Sequence, residues 1–204
     1  MFNGNKIYRI DKNGVKRQIF WIPGVHISFK GRNSEVTISG HLSNISFSRI
    51  VCTDNCKIFI GASDYRIKKL LILARGDNSF ISIGENLSVT NKCEIVTGPE
   101  AGLSVVIGED CMFAKNILIR ATDGHRVVDL SSGKILNYGK NINIGNHVWL
   151  ANNVMILKGG SISEHSVVSA GSVVTKTCEV SNAVYAGVPA RLVKSNIDWD
   201  RKSP

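Results

Sequence analysis

The chain has 204 residues, 43% of them hydrophobic, which suits one packed domain and is too many for a disordered segment. Ile and Val together number 44 against 12 Leu and 10 Ala, with Ser (21), Gly (19) and Asn (18) abundant; this excludes a helix bundle and an α/β fold with full crossover helices, and predicts many short strands joined by tight turns. A net charge of +9 points to an anionic partner, and by itself fits nucleic acid, a nucleotide cofactor or an acidic sugar.

At the N-terminus, Lys6 to Ile10 and Val15 to Phe20 flank Asp11-Lys12-Asn13-Gly14. Asn-Gly between alternating segments predicts a hairpin, and residues 1–30 read as a cap on whatever follows. The longest apolar-looking stretch, Ile19 to Phe29, is short and broken by Pro23 and His26. No membrane span or signal peptide is therefore expected, and the chain reads as cytoplasmic. Five cysteines at irregular spacing do not make a disulfide framework, and Cys52-x-x-x-Cys56 lacks the partner pair of a zinc motif. Residues 31–82 hold fragments of a repeat, around Ile38, Ile50 and Ile60-Gly61-Ala62, and read as irregular coils. His26 and His41 receive no role.

From Ile83 onward the apolar residues recur every six positions: Ile83, Val89, Ile95, Ala101, Ile107, Phe113, Ile119, then Ile144, Leu150, Ile156, Ile162, Val168, Val174. Twelve of these thirteen positions are large and apolar, far beyond chance. A period of six is a short strand plus a tight turn. Three such units close a triangular coil of eighteen residues, with the aliphatic side chain inside and small residues at the corners. The pattern resembles the left-handed parallel β-helix, which is expected to be regular over 83–180. Ile119 and Ile144 are 25 apart, one more than four repeats, so the frame slips there. The intervening polar, glycine-rich segment predicts an extruded loop over 122–143, and such loops usually carry function. Residues 181–204 should form a turn and a tail, with a short helix over Ala190 to Trp199. The expected class is thus all-β, with an active-site loop and a C-terminal helix.

Several blocks carry a resemblance. Asp123-Gly124-His125, Ile144-Gly145-Asn146-His147-Val148-Trp149-Leu150, Ile156-Leu157-Lys158-Gly159, Ala170-Gly171-Ser172-Val173-Val174-Thr175-Lys176 and Ala186-Gly187-Val188-Pro189-Ala190 resemble the hexapeptide-repeat acyltransferases. The stretch from Asp110 to Gly159 is most similar to the capsular-polysaccharide and sialic-acid O-acetyltransferases. That resemblance implies acetyl transfer from acetyl-CoA to a hydroxyl or amino group, in a cleft between subunits of a homotrimer. His125 matches the family's catalytic histidine. A sugar hydroxyl must lose its proton as it attacks, and an imidazole can take that proton and return it to the departing thiolate. Asp123 or Asp129 is a candidate to orient His125, with loop capping the alternative for either.

The resemblance also assigns the cofactor's surroundings. Trp149 would lie against the pantetheine arm or the acceptor, unless it is an outward aromatic covering an interface. Ala151 and Ala170 would offer backbone groups to the pantetheine amides. Thr175 and Lys176 match the adenine and phosphate end, Arg191 and Lys194 the basic residues past the Gly-x-Pro-Ala turn, and Lys158 is a weaker match. Asn91 is a candidate contact to the acceptor sugar. His147 and His165 sit at turn positions inside repeats and read as solvent-exposed corner residues. Cys93, Cys111 and Cys178 stand four after an apolar position, where small residues pack, so neither nucleophile nor metal ligand is expected of them.

Direct O-acetylation of a bacterial surface carbohydrate is the leading reading. N-acetylation of a nucleotide-linked amino sugar, with the same base, is the nearest alternative. A non-catalytic anion-binding β-helix is a third. The histidine order offers no three-histidine zinc site of the γ-carbonic anhydrase kind, so no metal is expected. Basic residues without interleaved aromatics argue against nucleic acid.

Overall fold

The computed structural model describes residues 3–40 and 44–202; His41 lies outside them. Almost every strand pairs in parallel with the strand one coil away, giving three ladders that run along a triangular prism. The inward columns make the sequence pattern visible. On the first face Ile38, Ile60, Ile83, Ile107, Ile144, Ile162 and Cys178 stack in register. On the second the column is Ile45, Ile67, Val89, Phe113, Leu150, Val168 and Tyr185. On the third it is Ile27, Ile50, Ile72, Ile95, Ile119, Ile156 and Val174. Nearly all of these side chains are buried in one continuous core. Burying each is worth about 1.5–3 kcal/mol, which explains why β-branched residues were selected at this spacing. The fold is the left-handed parallel β-helix that the hexads resemble.

The coil length departs from the expected eighteen. Successive residues of the first column are 22, 23, 24, 37, 18 and 16 apart, because the corner joining the third face to the first is enlarged in the early coils. Coils of 22 and 23 residues drift out of a six-residue frame, so the frame fades before Ile83 although the architecture continues. The 24-residue coil is four hexads long and keeps phase. Its extra hexad holds Ala101, which is an exposed corner residue and not part of the core. The 37-residue step contains the loop.

Both ends of the prism carry an antiparallel strand that pairs with an otherwise open edge. Lys16–Ile19 pairs with Lys6–Ile10 at one end. At the other, Ala190–Ser195 pairs with Ala183–Gly187. The helix expected over Ala190 to Trp199 is therefore a strand followed by an extended tail. The edge of Ala183–Gly187 offers unpaired N–H and C=O groups, and a returning strand satisfies them where a helix would not. Among the described residues, no helix is long and apolar enough to cross a membrane.

Candidate active site

The loop leaves the enlarged corner after the Met112–Arg120 strand, and its first turn is tightly braced. Arg120 Nε donates to the Thr122 carbonyl at 2.9 Å, and the Gly124 N–H donates to the Thr122 hydroxyl at 3.1 Å. Gly124 has a φ of +84°, and a Cβ there would meet the Arg120 guanidinium at 2.9 Å. This places the next residue, His125, on an exposed rim. Among the described residues, no side chain hydrogen-bonds its ring.

Asn137, near the loop's end, ties the segment together. Its amide donates to the Asp123 carboxylate and to the His125 carbonyl, both at 2.8 Å, and its oxygen accepts from the Val127 N–H at 2.7 Å. Lys158, one coil on, pairs with Asp123 and donates to the Asn137 carbonyl at 3.0 Å. Lys158 and Asn137 together hold the Asp123 carboxyl below the usual carboxylate range. Asp123 thus acts on the backbone that carries His125. Asp129 accepts from the hydroxyls and N–H groups of Ser131 and Ser132, which lower its pKa to about 2 and bind it to the loop tip.

A cavity of about 330 Å³ opens beside His125, lined by Gly124, Arg126, Ile135, Asn137, Tyr138, Pro99 and Glu100. Glu100 escaped the sequence reading. One of its carboxylate oxygens accepts from the Gly139 N–H at 3.1 Å, while Oε2 is buried without a hydrogen-bond partner. The signal for it was present, because Glu100 adjoins Ala101, the single failure in the hexad frame.

The remaining candidates separate into two groups. Lys158, Thr175 and Lys176 follow third-face strands, on the corner that carries His125. Trp149 lies on the second face, paired with Met112 and Val167. Ala151 and Ala170 occupy the adjoining corner between the second and third faces. The Ala151 N–H donates to the Val168 carbonyl at 3.0 Å, leaving its carbonyl as the group to offer a ligand. Arg191 and Lys194 are exposed on the terminal strand, which pairs with the last strand of the second face. In a triangular prism the second face lies opposite the corner between the third and first. The chain therefore holds His125 and Trp149 on opposite sides. Asn91 lies in the Ser88–Thr97 strand opposite Lys115, with its side-chain oxygen buried and without a hydrogen-bond partner. Among the described residues Lys176, Arg191 and Lys194 form no ion pair, so their charges are available to a phosphorylated ligand.

Of the two corner histidines expected at the surface, His147 is largely covered, while the His165 side chain keeps 42% of its surface exposed. His147 and His165 are eighteen residues, one coil, apart, so they stack, with ring centroids 5.0 Å apart. The C-terminal tail then covers His147. The Trp199 ring stacks on His147 at 4.1 Å, and its indole N–H donates to the His147 carbonyl at 2.8 Å. Arg201 goes further, reaching Asp110, Ser88 and the Asn86 carbonyl. Trp149 touches this strap through Trp199, at 6.1 Å. All five cysteines are buried and free, and burial pushes the thiols of Cys52 and Cys111 up to about 12.

No protein-family model matches the chain. A curated relative, the polysialic acid O-acetyltransferase of Escherichia coli O1:K1 / APEC, is 38% identical over 136 residues. That match covers 67% of this chain and 42% of the relative's length. The crystal structure of the polysialic-acid-specific acetyltransferase NeuO aligns with a TM-score of 0.58 at 25% identity, covering 98% of this chain and 90% of that one. The polysialic acid O-acetyltransferase OatWY aligns at 0.54 and 28%, covering 97% and 92%. With its prism, its extruded histidine loop and these relatives, the chain belongs to the hexapeptide-repeat acyltransferases, on the side of the family that resembles the polysialic acid O-acetyltransferases.

Proposed function

We propose that the protein is a cytoplasmic, acetyl-CoA-dependent O-acetyltransferase acting on a hydroxyl of an acidic surface carbohydrate, with sialic acid polymers the leading acceptor. The observation that carries this reading is the His125 loop. An unpartnered imidazole is exposed beside a partly polar cavity, while the backbone on either side is fixed by Asn137, Asp123 and Lys158. The relatives named for polysialic acid supply the acceptor class.

In this reading His125 is the general base. Its ring nitrogen takes the acceptor's hydroxyl proton as that oxygen bonds to the acetyl carbon, then delivers the proton to the departing thiolate. Acetyl-CoA supplies the activated acyl group. Lys176, Arg191 and Lys194 suit its phosphates, since they are exposed cations without acidic partners. Trp149 and the carbonyls of Ala151 and Ala170 suit the pantetheine arm. Glu100 lines the cavity and adds a carboxylate beside it. Because His125 and Trp149 face opposite ways, the complete site is formed between neighbouring copies, and a closed threefold ring joins each corner to the next subunit's second face.

Thiol release from acetyl-CoA, measured against polysialic acid, neutral glycans and amino sugars, tests the proposal. Turnover is expected with the sialylated acceptor, giving a product whose acetyl group is lost in mild alkali. An alkali-stable amide, or turnover restricted to amino sugars, would overturn it.

A further inference from the structure

The stacked corner histidines and the tail above them bring together two imidazoles, a carboxylate and a carbonyl. His147 Nδ1 lies 2.6 Å from Asp110 Oδ2, an arrangement that places the ring's one N–H on Nδ1 in a neutral imidazole. Nε2 then carries a lone pair, yet it faces the Trp199 carbonyl oxygen at 2.8 Å and Asp198 Oδ1 at 3.5 Å. His165 Nδ1 is buried, has no hydrogen-bond partner, and stands 3.5 Å from the same Asp198 oxygen. The nitrogens of two imidazoles thus lie within 3.5 Å of the same Asp198 oxygen, with the Trp199 carbonyl beside them. The nearest cation, Arg201, is already committed to Asp110, Ser88 and backbone carbonyls. Protons on His147 Nε2 and His165 Nδ1 would face the Trp199 carbonyl at 2.8 Å and Asp198 at the longer distance of 3.5 Å. A cation between the two rings and Asp198 would bind all three side chains at once.

We propose that His147, His165 and Asp198 form a binding site for a divalent transition metal of the zinc class, which fastens the C-terminal tail to the prism. The three ligand atoms lie within 4.8 Å of one another. Two of the separations are 3.5 Å, close to the roughly 3.3 Å that bonds of about 2.0–2.1 Å at tetrahedral angles give. Two imidazoles and one carboxylate form a borderline donor set that suits zinc and its first-row neighbours over magnesium or calcium. Asp110 holds His147 by the nitrogen not used for the metal, as outer-shell carboxylates do. The site is separate from the His125 loop and does not depend on the proposed acetyl transfer.

The test is a titration of untagged, chelator-treated full-length protein with Zn²⁺ by calorimetry, and with Co²⁺ by visible absorption. One equivalent per chain is expected, with a cobalt spectrum of low coordination number. His165→Asn and Asp198→Asn should each weaken binding by about 10–100-fold. Asn is chosen at 165 because that residue has a φ of +55°, and Asn182 takes the same conformation one coil on. Zinc should raise the melting temperature of the wild type and leave that of the His165→Asn/Asp198→Asn double variant unchanged, with His125→Ala behaving as wild type. Absence of stoichiometric binding, or equal affinity in the double variant, would overturn the site.

Discussion

The side-chain amide of Asn137 donates to the carbonyl oxygen of His125 at 2.8 Å across twelve residues of loop. That bond fixes the backbone of the candidate base without touching its ring. Asn137→Ala should therefore displace His125 while leaving cofactor contacts intact. Steady-state kinetics should show kcat down by about 10–100-fold with KM for acetyl-CoA unchanged. An unchanged kcat would mean that the loop is held by other contacts.

His125→Ala removes the base itself. Turnover should fall by about 10²–10⁴-fold, and equilibrium dialysis should find acetyl-CoA bound as tightly as before. Near-normal turnover would sink the proposed mechanism.

Asp123 and Lys158 give the loop a pH dependence of definite sign. The native Asp123 carboxyl is held below its ordinary value, first by Lys158 and then by Asn137. Its contribution is present above the unfolded-state carboxylate range and is lost as pH falls through the lowered native value. Hydrogen exchange at the Val127 N–H, which donates to Asn137, should thus stay protected through the ordinary range for aspartate and open only in stronger acid. Asp123→Asn should remove the acid-dependent step. Asp123 is largely exposed, so the effect belongs to the loop and not to global stability.

Much of the prism is legible in the residues because burial imposes a rule: one apolar side chain, mostly β-branched or aromatic, per face per coil. Phe113 and Ile119 obey it and were found. The rule says nothing about corner length, so coils of 22 and 23 residues hid the repeat before Ile83, and Ala101 marked an enlarged corner whose cavity-lining Glu100 went unread. Long-range partners were the other blind spot. His147 and Asp198 are 51 residues apart, and no periodicity predicts that a tail will climb back over three coils to meet them. Asn137 belonged to the loop without a role, since its importance lies in bonds that only the folded loop creates.

Phe113 tests the packing rule. It is fully buried in the second column, between Val89 and Leu150. Phe113→Ala should destabilise the protein by about 3–5 kcal/mol, read as a lowered midpoint in urea, because a stacked column cannot collapse around one missing ring. Ala101→Val, at an exposed corner, should change the midpoint little.

The opposed positions of His125 and Trp149 make a prediction that separates a shared site from one within a single chain. If each site takes its histidine from one subunit and its tryptophan from the next, His125→Ala and Trp149→Ala proteins should each be nearly inactive alone. Unfolded together in equal amounts and refolded, they should assemble at random. A site is then intact when the first subunit carries the tryptophan change and the next the histidine change, a chance of about one in four in a cyclic assembly. Thiol release should recover to roughly a quarter of the wild-type rate, which is far above either parent. A site contained in one chain would gain nothing from mixing, since every chain would still lack one of the two residues.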